Sequence, residues 1–243
     1  MQTADFWHKL HLHRAKIVLV LALFVSHWSL AQKAPVTMYR VDSDQKPLKY
    51  GFFLGYHSNT FGIQYSDAFS SPAFDNVSSI VSQRSAGFNL GFMVNFRLSD
   101  QFTVRTVPVK IALYQHTVDY NFTDGTTDSQ LIESTRIEPG IFLKYRSIRR
   151  ENTRMYIIGG LSGSWRSGKP EEGNTDRLEV RRLDIRAEVG FGLEKYFKFF
   201  KWSPEIRYSR GLINVISPNN TLFSNGINRL VTHNFTFYLH FSD

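Results

Sequence analysis

The side chains that could support catalysis are a few histidines together with serine and glutamate residues. Beyond residue 31, the histidines of the chain are His57, His116, His233 and His240. A serine nucleophile needs a basic partner within hydrogen-bond reach, and we expect His116 and His233 to lie in or near loops that Ser129 or Glu133 could approach. No spacing requires such a contact, and serine-rich loops produce chance neighbours. We therefore predict no catalytic residue, with the histidines solvated or hydrogen-bonded inside the fold.

A metal or redox site has no support in the sequence either. His11 and His13 have ligand-like spacing, but they fall in an N-terminal leader, and no later group of histidine and acidic residues has the recurrent spacing of a metal site. The chain contains no cysteine, which excludes disulfides, thiolate ligands and a lipidated cysteine. We expect no metal ion and no cofactor.

The first 31 residues have the features of a signal peptide. Basic residues at positions 9, 14 and 16 precede an apolar run over 17–25, and Ser29 and Ala31 are the small residues that a cleavage site requires. The apolar run is too short for a transmembrane helix, which needs about 20 apolar residues. We predict a signal peptide over 1–31, a periplasmic segment over 32–48, and one β-barrel domain over 49–243.

The strongest structural signal is an alternation of residue types with period two. Over 88–97 the even positions carry Phe88, Leu90, Phe92, Val94 and Phe96, whereas the odd positions carry Asn89, Gly91, Met93, Asn95 and Arg97. Only a β-strand places alternate residues on opposite faces. The length also suits a tilted transmembrane strand, which spans the bilayer with about 9 to 11 residues.

The same alternation recurs and predicts eight strands. They cover 50–57, 88–97, 103–114, 136–146, 155–165, 183–194, 202–212 and 234–241. Charged residues such as Arg136, Glu138, Arg186 and Glu188 fall on the polar faces, and they would be costly in lipid. An eight-stranded barrel has an interior that side chains can just fill, so we expect these charges to pair there. The sequence thus predicts an all-β, eight-stranded, antiparallel up-and-down transmembrane β-barrel with a side-chain-filled lumen.

A water-soluble barrel of the lipocalin type is the alternative, because it also alternates but turns its apolar face inward. The polar faces of this chain contain many Gly and Asn residues and paired opposite charges. These faces carry too few solubilising residues for a surface in water, which favours the barrel in the outer membrane.

The connections between the predicted strands alternate in length. Short turns lie near 98–101, 147–153 and 197–201, whereas the connections after the first, third, fifth and seventh strands are long and polar. In outer-membrane barrels the short turns and both termini are periplasmic and the long loops are extracellular. The first long loop, predicted over 58–83, contains aromatic residues such as Phe61, Phe69 and Phe74. We expect it to pack on the barrel rim or on a partner.

The chain has a formal charge of +8 at pH 7. Its basic residues are spread over strands and turns rather than gathered in one patch or module, so we predict no nucleic-acid partner. Several of them lie in the short turns, where they could contact lipid headgroups or dock a protein. Outer-membrane lipid is therefore one expected partner.

Six segments carry a family resemblance. They are EST at 133–135, LKYRS at 143–147, YIIGG at 156–160, EVGFG at 188–192, KFFKWSPEIRYS at 198–209 and GLIN at 211–214. With these motifs the chain resembles the PorT/SprT outer-membrane proteins of the type IX secretion and gliding machinery of Bacteroidetes. The third strand departs from that family, because RTVP at 105–108 fits but 109–116 lacks the usual glycines.

The resemblance implies a small barrel that is needed for the export of cargo proteins and does not conduct them itself. It also implies protein partners within the type IX secretion apparatus. Three alternatives remain open: a generic PorT-like barrel, a lipid-modifying barrel enzyme, and a structural or adhesive barrel like the small OmpA/OmpX type.

Overall fold

A computed structural model of the chain describes residues 37–168, 178, 180–217 and 222–243. The predicted signal peptide over 1–31 lies outside these residues. Within the described parts, every helix is too short or too polar to cross a membrane.

Ten antiparallel strands form one sheet. They are β1 (Leu48–Tyr65), β2 (Val77–Ser82), β3 (Ser85–Arg97), β4 (Phe102–Phe122), β5 (Thr127–Ile137), β6 (Gly140–Arg146), β7 (Thr153–Ser167), β8 (Leu183–Tyr196), β9 (Lys201–Gly211) and β10 (Ile227–Ser242). The helical parts are short: 3-10 turns at Val41–Gln45, Asp67–Ser70 and Pro72–Phe74, and one α-helical turn at Leu222–Asn225.

The sheet closes on itself. From β4 the pairing runs through β3, β1, β10, β9, β8 and β7 to β5 and β6, and both of these pair with β4 again. Eight positions surround the ring, since β2 and β3 both pair with β4, and β5 and β6 both lie between β4 and β7. Pro139 separates β5 from β6, because proline has no N–H to donate to the ladder. The predicted antiparallel barrel is confirmed.

Burial alternates along the strands as the sequence pattern predicts. On β3, Phe88 and Phe92 are each 63% exposed, whereas Asn89, Met93 and Asn95 are buried. Exposed apolar residues on all sides of the ring form a belt, and polar residues at this level point into the lumen. An apolar outer face over a polar interior is the arrangement that a bilayer requires of a barrel.

The short turns also lie where the sequence predicts them, at 98–101, 147–152 and 197–200. Two of the long loops differ from the prediction. The loop predicted over 58–83 is strand up to Tyr65 and again from Val77, so the connection itself covers only 66–76. The third connection, predicted to be long, is a tight turn at 123–126. The strands continue past the apolar belt because β1 still pairs with β10, and β4 with β2 and β5. The fifth connection lies largely outside the described residues.

Candidate functional site

Two ion-pair groups fill the middle of the lumen. In the first, Glu138 accepts from the Ser164 hydroxyl at 2.8 Å and pairs with Lys110 at 2.6 Å and with Arg186. Arg186 also donates to the Tyr114 hydroxyl at 2.8 Å and lies 3.3 Å from Asp184. All of these side chains are buried. The group links β4, β7 and β8 across the barrel through Glu138, which lies between β5 and β6.

The second group is centred on Glu205, on β9. Its carboxylate accepts from Arg105 at 2.7 Å and from the Tyr156 hydroxyl at 2.8 Å, and it pairs with Arg207. Arg207 also reaches Glu188 on the neighbouring β8, at 3.0 Å. The lumen is therefore crossed by direct contacts between strands that do not pair with each other.

The physical reason for these groups is the cost of a buried charge. A carboxylate or guanidinium away from water is tolerated only with a partner of opposite charge and further hydrogen bonds. Space for the large side chains comes partly from glycine: a Cβ atom on Gly192 would lie 2.5 Å from the Tyr156 hydroxyl. The predicted side-chain-filled lumen is confirmed, and its charged residues form ion-pair networks.

The four histidines lie in strands, so the prediction that His116 and His233 lie in or near loops is wrong. Inside the barrel, His116 stacks on Phe61 with 4.0 Å between ring centroids and lies 3.0 Å from the Asn59 amide. On the outside, His233 contacts the Tyr208 hydroxyl at 2.7 Å. These two histidines are on opposite sides of the barrel wall.

The other two histidines are buried in the lumen. The His57 ring lies 4.5 Å from that of Tyr114, and His240 lies 3.4 Å from Glu205. The predicted neighbours of the loop histidines are elsewhere: Ser129 donates to Asp119 at 2.7 Å, and Glu133 accepts from Gln115 at 2.8 Å, both in the β4–β5 hairpin. None of these four described histidines contacts Ser129 or Glu133. In the described parts of the chain, no three His, Asp or Glu residues converge on a metal-sized site.

An apolar group, which we call the apolar cap, fills the barrel at its long-loop end. Its buried members are Phe61, Phe74, Val77, Ile80, Val118, Tyr120, Leu178, Val180, Val215, Ile216, Ile227 and Leu230. Phe69 and Ile63 pack against it. The aromatic residues of the predicted first loop therefore pack inside this end of the barrel.

The outer face changes character at the same level. On β4, the outward residues Ile111 and Leu113 are followed by Gln115, Thr117 and Asp119, while inward Val118 and Tyr120 join the apolar cap. A water-facing sheet buries apolar side chains inward, and a lipid-facing barrel does the reverse. The strands therefore leave the bilayer just beyond Leu113.

The N-terminal segment closes the short-turn end. Asp44, in the first 3-10 turn, accepts from the Tyr196 hydroxyl at 2.7 Å and from Arg149 at 2.9 Å, with Arg154 at 3.4 Å. Burial alone would raise the pKa of the Asp44 carboxyl, but these hydrogen bonds and positive charges outweigh it, so the pKa lies below its ordinary value. We call Tyr39 to Lys46, held by these contacts, the latch.

Further bonds hold the latch at both of its ends. The Tyr39 N–H donates to the Asn152 side chain at 2.8 Å, and Lys46 pairs with Asp243 at 3.1 Å. The latch is not predicted from the sequence, because its partners lie more than a hundred residues away along the chain. The only local signal was an acidic pair, Asp42 and Asp44, in a chain whose short turns are basic.

Solved outer-membrane proteins resemble the chain at low sequence identity. OprG from Pseudomonas aeruginosa is 13% identical, with a TM-score of 0.48 over 81% of this chain and 95% of OprG. Neisserial surface protein A is 12% identical, with a TM-score of 0.41 over 78% of this chain and 95% of its own. AlkL in lipid bilayers is 12% identical, with a TM-score of 0.41 over 88% and 93%.

No curated protein sequence shows significant similarity to the chain. The profile of a family described as "Outer membrane protein beta-barrel domain" matches residues 30–217, which is most of the chain. Together with a closed antiparallel ring, an apolar outer belt and a charged lumen, this match establishes that the chain belongs to the outer membrane β-barrel domain family.

Proposed function

We propose that the protein is a non-enzymatic component of the type IX secretion and gliding machinery, required for cargo export through contacts with other proteins. The observation that carries the proposal is the filled lumen, in which Glu138 and Glu205 each connect several strands. A barrel closed in this way cannot conduct a folded cargo protein. The function implied by the PorT/SprT resemblance is that of a non-conducting component, and the filled lumen fits it.

The short-turn face is the surface that we propose for these contacts. The aromatic residues of the first connection pack in the apolar cap inside the barrel. At the short-turn end, by contrast, Ile148 is 78% exposed and Phe199 is 80% exposed, beside the basic Arg150 and Lys198. Exposed apolar residues ringed by charge are typical of a protein contact. In this proposal the short turns face the periplasm and the long loops face the outside of the cell.

The first experiment is a clean deletion, with and without the restored gene, read by the profile of secreted proteins. The proposal expects cargo to accumulate in the periplasm and to return to the medium on restoration. Normal secretion in the deletion strain would contradict it. An altered lipid A profile would point to a lipid-modifying enzyme, and a fragile envelope with normal secretion to a structural barrel.

A pair of variants separates the proposed contact face from the barrel itself. The double variant I148D/F199D should insert into the membrane normally and yet fail to restore secretion, because it places charge on the proposed contact surface. Leu131→Asp is the matched control, since it alters an apolar residue, 54% exposed, beyond the belt at the other end. If both variants restore secretion equally, the short-turn face is not the contact.

A further inference from the structure

The short-turn mouth of the lumen holds more positive than negative charge. A small cavity lies there between β1, β3, β4, β6, β8 and β9. Its buried charged residues are Lys49, Lys144, Arg146, Lys201 and Glu194, with Lys46 and Arg97 nearer the surface. Four buried cations thus face a single buried carboxylate at this level.

The contacts of these cations leave two of them poorly compensated. Lys144 and Lys201 share Glu194, the second at 3.3 Å. Among the described residues, the Arg146 side chain reaches only the Ser99 and Asp100 carbonyls, at 3.4 and 3.2 Å, and its Nε has no hydrogen-bond partner. Neutral carbonyls solvate a guanidinium but do not balance its charge.

Lys49 is the most isolated of the four cations. Its side chain is 5% exposed, and its ammonium makes no hydrogen bond to the part of the chain that the structure describes. The nearest carboxylate oxygen in that part, on Asp44, is 3.9 Å away. That carboxylate is already engaged with Arg149, Arg154 and the Tyr196 hydroxyl. A buried ammonium that lacks acceptors from the protein is strongly disfavoured, because burial removes it from bulk solvent.

The middle of the same lumen shows that this excess is local. There the buried cations Arg105, Lys110, Arg136, Arg186 and Arg207 stand against the carboxylates Glu138, Asp184, Glu188 and Glu205, with direct pairs for most of them. Among the described buried residues, the middle thus has an excess of one positive charge and the mouth an excess of three. The mouth is therefore the level at which an added anion would do most to balance the charge.

We propose that this cavity binds a small anion, held by Lys49 and Arg146 and completed by Lys201. The cavity is small and has room for roughly one water-sized particle. A monatomic anion such as chloride fits this space, whereas a phosphate would need the side chains to move. The proposal is independent of the secretion role, because it concerns the charge balance of the barrel alone.

The test uses the full chain, purified and folded in a zwitterionic detergent. Its thermal midpoint is measured while chloride replaces gluconate at constant ionic strength, so that general screening does not change. We expect the midpoint to rise with chloride and then to saturate. In Lys49→Met, the chloride affinity should fall on the order of tenfold or more, since a main ligand is lost.

Lys195→Met is the matched control, because Lys195 is an exposed cation on the outer face of β8. This variant should keep the full response to chloride. Crystals grown in bromide provide a direct readout that does not depend on variant folding: an anomalous peak beside Lys49 and Arg146 is expected. A midpoint that ignores chloride, a response unchanged in Lys49→Met, or an empty cavity in bromide would each overturn the proposal.

Discussion

The middle of the lumen and the apolar cap fill the same barrel with opposite chemistry. In the middle, Arg105, Glu205 and Arg207 make direct ion pairs, whereas at the long-loop end Val118 and Leu230 pack in the apolar cap. The outer faces invert at the same level, from Leu113 to Gln115 on β4. The medium around the barrel therefore determines the chemistry of its interior. In lipid the apolar face points outward and the polar face inward, and in water the orientation is reversed.

The middle of the lumen and the apolar cap also differ in how they contribute to stability. The apolar cap gains free energy as any water-soluble core does, by removing apolar surface from water. The ion pairs of the lumen gain little net energy, because desolvation offsets most of their attraction, but losing one partner leaves the other buried and uncompensated. We therefore expect the loss of one charged side chain in the lumen to lower the free energy of unfolding by more than the net contribution of its ion pair.

The largest effect should come from Glu205→Gln. This change leaves Arg105 and Arg207 facing one carboxylate fewer, so we expect the free energy of unfolding to fall by about 3–5 kcal/mol. The measurement is urea unfolding in lipid vesicles. Glu133→Gln makes the same change on the exposed outer face beside the apolar cap, and it should have little effect. Equal losses in the two variants would contradict the difference between the regions.

The membrane part of the barrel was largely predictable from sequence. Within the bilayer every strand must point apolar side chains outward to the lipid, so the alternation of apolar and polar residues over 88–97 or 183–194 is strong. The extensions of β1 and β4 were missed because the alternation inverts where the strands enter water, at Ser58 and Gln115, and an inverted pattern reads as the end of a strand. The latch depends on contacts between distant parts of the chain, which no local pattern records.

A second experiment tests where the bilayer ends. Val189 is exposed on the apolar belt of β8, whereas Thr117 points outward from β4 at the level of the apolar cap. We expect Val189→Arg to destabilise the folded barrel in vesicles by about 2–4 kcal/mol, since arginine on the lipid face is costly near the middle of the bilayer. Thr117→Arg, the control, should be nearly neutral because its side chain meets water. Similar losses of stability in the two variants would place Thr117 in lipid and contradict the change of the β4 outer face from apolar to polar.

The latch adds a third chemistry, in which the partly buried Asp44 carboxylate is the central contact between a segment and the barrel, with further bonds at both ends of the segment. The pKa of Asp44 is below its ordinary value of 3.8, so the charged form is favoured in the folded state. The contribution of Asp44 to docking is therefore complete above about pH 4 and is lost as the pH falls through the folded-state pKa. At neutral pH we expect Asp44→Asn to weaken docking of the latch by about 1–2 kcal/mol.

Hydrogen exchange of the amides over 39–46, compared with those of β1, measures this docking. In the unaltered protein, protection of the latch should decrease as the solution is acidified from about pH 6 to about pH 3, while the protection of β1 persists. In Asp44→Asn the amides of the latch should already be weakly protected at pH 6. Their protection should then decrease little further on acidification, because residue 44 no longer titrates. If Asp44→Asn retains the full acid-dependent change, another group controls the latch, and the short-turn end is held by contacts other than the Asp44 carboxylate.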